Sequence, residues 1–284
     1  MHLLLCLLLL VLLPAFTWAT DTITVKHYQQ QARYAVGNKL LHLALSKINK
    51  PYYIHTPKSQ RVNEGRGELQ VISGDVDVQW LSTTPYRERK MIPIKVPIYK
   101  GLLGLRLLLV NKYSFEFISR VKNLDGLRQY TGGHGTLWAD LPVYKANNLL
   151  VRTHVSYETL FRQLQDNRFD YFHRGINEIW SEQDRYKHTL KIADNIMLYY
   201  PQPVYFFVTK RRRQLADDIK LGLERALADG SYKALFLKSF QDFLTQAKLE
   251  KRHLIRLKNP NLPQDLPAID TSWWLPQKSN LSPL

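Results

Sequence analysis

Two long apolar runs, residues 104–110 and 203–209, bracket a stretch in which strand-like and helix-like patterns alternate. Such alternation argues for a mostly parallel sheet with helices on both faces. Each bracketing run is long enough to cross from one lobe to another. Between them, residues 149–152, 169–172 and 190–193 read as strands. Ser156 caps a helix with Tyr157, Leu160, Phe161 and Leu164 on one face, and 177–185 reads as a further helix. Residues 128–131 lead through Gly132, Gly133 and Gly135 into a predicted helix over 137–147. Ahead of the first run, strands at 23–25, 52–55 and 77–80 alternate with helical patterns over 38–48 and 68–73, the latter ending at Gly74. Beyond the second run, Gly230 divides helices near 215–229 and 232–245. The resulting expectation is an α/β chain in two lobes. Residues 20–111 and 203–258 make the first, 112–202 form an inserted second, and the Pro-rich segment 259–284 is an extended tail laid on the first.

The first nineteen residues read differently. Residues 3–13 are an almost unbroken apolar run, followed by Pro14 and then Thr17-Trp18-Ala19, with small residues at the −3 and −1 positions. This is the shape of a secretory signal peptide, and the run is short of the roughly 20 residues a membrane span needs. Cleavage after Ala19 removes Cys6, the one cysteine. A conventional core, and no disulfide, must then stabilise the exported chain.

Export outweighs the net charge of +16, which alone points toward nucleic acid or anionic membrane. The basic residues are scattered, and the one dense run, Lys210-Arg211-Arg212-Arg213, precedes a helix and reads as a solvated turn. There is no nucleic-acid signature. No histidines pair at four-residue spacing, no His/Cys cluster suggests a metal, and no glycine-flanked serine offers a nucleophile. Catalytic residues, metal and cofactor are all expected to be none. Glu178 and Glu182, one helical turn apart, read as a solvated face rather than an acid/base pair.

From about residue 75 to 240 the chain resembles the bacterial extracellular solute-binding proteins of the amino-acid type. The resemblance is carried by Gly74-Asp75-Val76-Asp77-Val78, Thr84-Pro85-Tyr86-Arg87, Leu124-Asp125-Gly126-Leu127, Gly135-Thr136, Arg168-Phe169-Asp170 and Gly230-Ser231-Tyr232. It implies a type II periplasmic binding fold: two lobes joined by two hinge crossovers, closing on a solute in the cleft. The hinges are expected near 110–112 and 200–205.

The resemblance also implies site residues. Thr84 and Arg87 match the turn whose arginine grips the ligand carboxylate, a task suited to a two-pronged guanidinium; Arg89 is its register-shifted competitor. Gly135 and Thr136 match a small-residue turn at a helix start, where free N–H groups and the helix dipole attract an anion. The carboxylate that holds a ligand ammonium in the family corresponds to Gly175, preceded by Arg174, which weighs toward an anionic solute. Trp80, Tyr86, Trp138 and Phe172 are the aromatic candidates for sandwiching a flat or apolar part of it.

The leading expectation is therefore a monomeric periplasmic receptor for a small anionic solute, serving uptake or sensing through a membrane permease or sensor. A dehydratase-like cleft enzyme on the same fold is one alternative. A protein binding anionic polymers of the envelope through its positive charge is the other.

Overall fold

The computed structural model describes residues 21–30, 34–56 and 64–275. The expected export segment 1–19, Cys6 and the last residues of the tail lie outside them. The first lobe opens with β1 (Ile23–Lys26), α1 (Ala35–Ser46), β2 (Tyr52–His55), α2 (Glu64–Ser73), β3 (Val78–Ser82), α3 (Pro85–Lys90) and β4 (Ile92–Ile94). The second contains β5 (Leu105–Asn111), α4 (Phe115–Ser119), α5 (Leu124–Leu127), β6 (Gly132–Gly135), α6 (Leu141–Ala146), β7 (Val151–His154), α7 (Tyr157–Gln165), β8 (Tyr171–Gly175), α8 (Ile179–Arg185), β9 (Leu190–Ile192) and β10 (Ile196–Tyr199). The chain then adds β11 (Val204–Val208), α9 (Arg213–Ala228), α10 (Ser231–Ala247) and β12 (His253–Arg256).

Strand direction follows the connections. The parallel pairs are β1–β2, β6–β7, β6–β8 and β10–β12. Every antiparallel pair among the described residues involves β5 or β11, the strands by which the chain enters each lobe after a crossover. β11 runs between β3 and β4, and β5 lies at the centre of a sheet ordered β12-β10-β5-β8-β6-β7, with β9 also paired to β5. The two-stranded β1–β2 sheet joins β3 at Asp77, whose N–H donates to the Lys26 carbonyl at 3.0 Å. Farther along, the Gln29 side-chain amide takes the place of a strand, donating to the Trp80 carbonyl and accepting from the Trp80 N–H, both at 2.8 Å.

Apart from their first residues, the apolar runs thus belong to single lobes: 105–111 is a core strand of the second and 204–208 of the first. The actual crossings are the segments just before each, residues 100–104 and 200–203. They touch where the Tyr200 N–H donates to the Gly104 carbonyl at 3.2 Å. A hinge at 110–112 is therefore corrected. Val110 is fully buried and paired to Tyr171 deep in the second lobe.

The segment 203–258 does not stay in the first lobe either. After α9 packs on α1 and α10 follows, β12 crosses back and pairs in parallel with β10. Its four residues lack the length and period that would announce a strand. The tail then turns home again. Lys95 pairs with Asp265 at 2.7 Å, and Leu266 packs against the first-lobe cluster that contains Tyr205 and Phe207. Trp274 inserts beside the first crossing, its indole N–H donating to the Lys100 carbonyl at 2.7 Å, while the Lys100 ammonium sits 4.3 Å above the Trp273 ring. No helix among the described residues is long and apolar enough to cross a membrane.

Candidate functional site

A cleft lies between the carboxyl end of β3 and the start of β5 and end of β8. It has two joined chambers. The narrower is lined by Tyr34, Trp80, Tyr99, Asn177 and Val204 among others; the wider by Trp138, Asp140, Tyr157, His173 and Arg174. Ser82, Arg106, Glu178 and Gln202 border both.

Each expected site residue has a definite place. Thr84 caps α3, its hydroxyl accepting from the Arg87 N–H at 3.2 Å. Arg87 is buried behind Ser82 rather than open to the cleft. Its Nε and Nη2 donate to Glu68 Oε2 at 3.0 and 2.8 Å, and Nη1 donates to the Ser82 carbonyl at 2.8 Å. The carboxylate expected from a ligand is supplied by α2. Arg89 and Tyr86 are exposed, Tyr86 lying beside the Lys90 ammonium. Trp80 lines the narrow chamber and Trp138 the wide one.

Gly135 and Thr136 do not form a helix start, and the expected helix over 137–147 is only α6. The glycines make strand β6 instead, because rings occupy the space their side chains would need. A Cβ on Gly133 would fall 2.3 Å from Phe169, and one on Gly135 2.4 Å from Trp138. The Thr136 N–H is spent on the His154 carbonyl at 3.1 Å. The anion site expected there is corrected.

Arg174 is the larger revision. Its guanidinium is buried and paired twice, with Glu182 through Nε and Nη2 at 2.7–3.0 Å and with Glu178 at 3.0 Å. It also stands 5.0 Å over the Trp138 ring and 4.9 Å over Phe172. Glu178 and Glu182 are therefore cleft residues, not a solvated helix face. Glu182 is 7% exposed, whereas Glu178 keeps part of its carboxylate open to the cleft. Two carboxylates already meet the one guanidinium charge, so the cluster is an internal structure with a surplus negative charge, which disfavours an anionic ligand beside it.

Arg106 interrupts the apolar register of β5. Its Nε donates to the Tyr200 hydroxyl at 2.8 Å, and Nη2 donates to Gln202 at 2.8 Å and Asp140 at 3.1 Å. Tyr200 in turn donates to Asp140 at 2.5 Å. Burial alone would raise the Asp140 carboxyl, but the adjacent His134 and Arg106 outweigh it and hold it below the ordinary carboxylate range. Next to this cluster the Tyr144 hydroxyl and His173 Nδ1 share a 2.6 Å hydrogen bond. Burial, then the neighbouring His134, push His173 well below the usual histidine range, so its imidazole is neutral.

These groups converge at Gly175, the last residue of β8. A Cβ placed there would lie 2.9 Å from Asn177 Oδ1, 3.1 Å from Glu178 Oε2 and 3.2 Å from Arg106 Nη1. Asn177 Oδ1 is buried and without a hydrogen-bond partner among the described residues. An acceptor amide, a carboxylate and a guanidinium nitrogen thus surround one side-chain-free point. The sequence reading missed this set. The signals were a lone arginine inside an apolar run, and acids four and eight residues after Arg174. No metal-binding group of three or more ligating residues occurs among the described residues.

No family model matches the chain, nor does any curated protein. Solved structures do match. A probable amino-acid ABC transporter extracellular-binding protein, YtmK of Bacillus subtilis, is 17% identical, with 78% of this chain aligned to 99% of that one at a TM-score of 0.61. A periplasmic binding protein of Salmonella typhimurium with high arginine specificity is 14% identical over 77% of this chain and 99% of its own, at 0.55. An ancestral amino-acid-binding protein, a precursor of cyclohexadienyl dehydratase, is 14% identical over 77% and 95%, at 0.54. With two lobes meeting at this cleft, the chain has the type II periplasmic binding fold of amino-acid ABC transporter substrate-binding proteins.

Proposed function

We propose that the protein is a solute receptor acting outside the cytoplasm, and that its solute is a free amino acid. The observation that carries this reading is the convergence of opposite charges over Gly175. Glu178 and Asn177 present oxygens suited to an ammonium, and Arg106 Nη1 presents a donor suited to a carboxylate. A zwitterion meets both; a simple anion meets the guanidinium but also the Glu178 carboxylate. The anionic solute expected from sequence is therefore not carried forward. The resemblance to amino-acid-binding structures supports the same class. Trp80 and Tyr34, edge to face at 6.2 Å, would close on the solute from the first lobe. A permease or sensor would take the closed form as its signal.

Calorimetry with a panel of free amino acids, their N-acetyl and decarboxylated analogues, and dicarboxylates tests this. Binding is expected only when both the amine and the carboxylate are present. Glu178→Gln should weaken it by about 1.5–3 kcal/mol, the range for a hydrogen bond to a charged group. Tight binding of a dicarboxylate, with free amino acids inert, would overturn the reading. Turnover of a bound compound would instead favour an enzyme.

A further inference from the structure

The end of the first lobe remote from the cleft holds a second pocket, lined by Thr24, Lys26, Gly74, Asp77, Thr209 and Arg211 among others. Strand β11 delivers Thr209 there. The Thr209 N–H donates to the Asp77 carbonyl at 2.9 Å, and its own carbonyl accepts from the Arg212 N–H at 3.0 Å. The chain then enters α9, sixteen residues long. This helix has no side-chain cap and no acidic residue in its first turn, so the positive end of its dipole is uncompensated.

The surrounding charge has the same sign. Lys26, Lys210, Arg211 and Arg213 are exposed around the pocket and the helix start. The acid present, Asp77, is already occupied: one oxygen faces Arg212 Nη1 at 3.2 Å and the other accepts from the Lys26 N–H at 2.8 Å. Thr209, in the pocket wall, supplies a separate observation. Thr209 is 1% exposed, and its hydroxyl has no hydrogen-bond partner among the described residues. Buried hydroxyls are ordinarily satisfied, so an unmatched one lining a cationic pocket asks for an oxygen-bearing guest.

We propose that this pocket binds a phosphate-class oxyanion, either free or on an anionic lipid headgroup. Arg211 and Lys26 supply charge, Thr209 Oγ1 a hydrogen bond, and the first N–H groups of α9 the remaining donors. Lys210–Arg213 is the largely exposed turn before a helix that the sequence leads one to expect, and this role is added to it. The proposal is independent of what the cleft binds.

The test is titration of the isotope-labelled chain with inorganic phosphate at low salt, following backbone amide resonances. Saturable shifts are expected at Thr209 to Leu215 and not around Gly175. Arg211→Ala should weaken binding about tenfold and Thr209→Val about threefold, as loss of a charged and of a neutral partner implies. Co-sedimentation with vesicles of equal phosphatidylglycerol and phosphatidylcholine identifies the source. Pelleting that Arg211→Ala and Thr209→Val both reduce assigns a headgroup; no pelleting with phosphate binding intact assigns the free anion. Absence of saturable shifts at Thr209 to Leu215, shifts confined to the cleft, or equal affinity in both variants would overturn the proposal.

Discussion

The first lobe meets the cleft with rings and a hydroxyl, Tyr34, Trp80, Tyr99 and Ser82, whereas the second sets charges, Arg106, Asp140, Arg174 and Glu178, among rings of its own, Trp138 and Tyr157. Each lobe also buries an arginine against its own acid, but in different ways. Arg174 is gripped bidentately by Glu182 and again by Glu178, with aromatic rings on its faces. Arg87 donates twice to one oxygen of Glu68 and also to the Ser82 carbonyl. The charged wall is thus assembled before any solute arrives, which lowers the cost of ordering at binding. The ring wall contributes undirected burial that tolerates small changes in lobe angle.

The sharpest way to break this comparison is to cut each internal pair. Glu182→Ala leaves a fully desolvated guanidinium short of its main partner and should cost about 3–5 kcal/mol of stability. Glu68→Ala, at a more open pair, should cost about half that. Urea denaturation measures both, and equal losses would show that the lobes are not differently built. A smaller effect is expected at the point where the charges meet. Gly175→Ala puts a methyl group within 2.9–3.2 Å of Asn177, Glu178 and Arg106. It should weaken amino-acid binding about tenfold or more by displacing those groups, with little change in the thermal midpoint. Affinity equal to that of the unaltered protein would remove Gly175 from the site.

The smallest effect is pH dependence, and it compares a histidine from each lobe. Burial, then the nearby His42, lower His27 from 6.5 to about 4, and its Nδ1 accepts from the Gln29 N–H at 3.2 Å. His173 is lowered too. With folded pKa values below the unfolded one, the unfolded chain takes up protons first. Stability is therefore full above about pH 6.5 and falls as the pH drops toward 4, by less than about 1 kcal/mol per residue between pH 7 and 6. His27→Gln should remove roughly half of that slope in denaturation profiles. An unchanged slope would mean that His27 is solvated.

The alternating strands and helices, the Gly230 break and the Ser156 cap were legible because each follows from local periodicity or capping chemistry. Residues 132–135 were misread because glycines signal turns locally, yet here Phe169, Tyr171 and Trp138 need their empty side-chain space. The role of Arg174 was misread for a related reason. Its neutralising acids stand one and two helical turns further along, and only the fold brings them to the strand end. Glu68 against Arg87 could not be foreseen either, since nothing local fixes how α2 and α3 meet.

Strand β12 has a consequence for biosynthesis. Most of the second lobe leaves the ribosome by residue 200, but the edge of β10 that β12 covers stays open until residues 253–256 follow. An unpaired strand edge is a template for pairing with other chains. Through the synthesis of two long helices, the nascent protein therefore carries a half-finished sheet. A fragment ending at 247 should be a worse folder than the loss of so short a terminal piece would suggest.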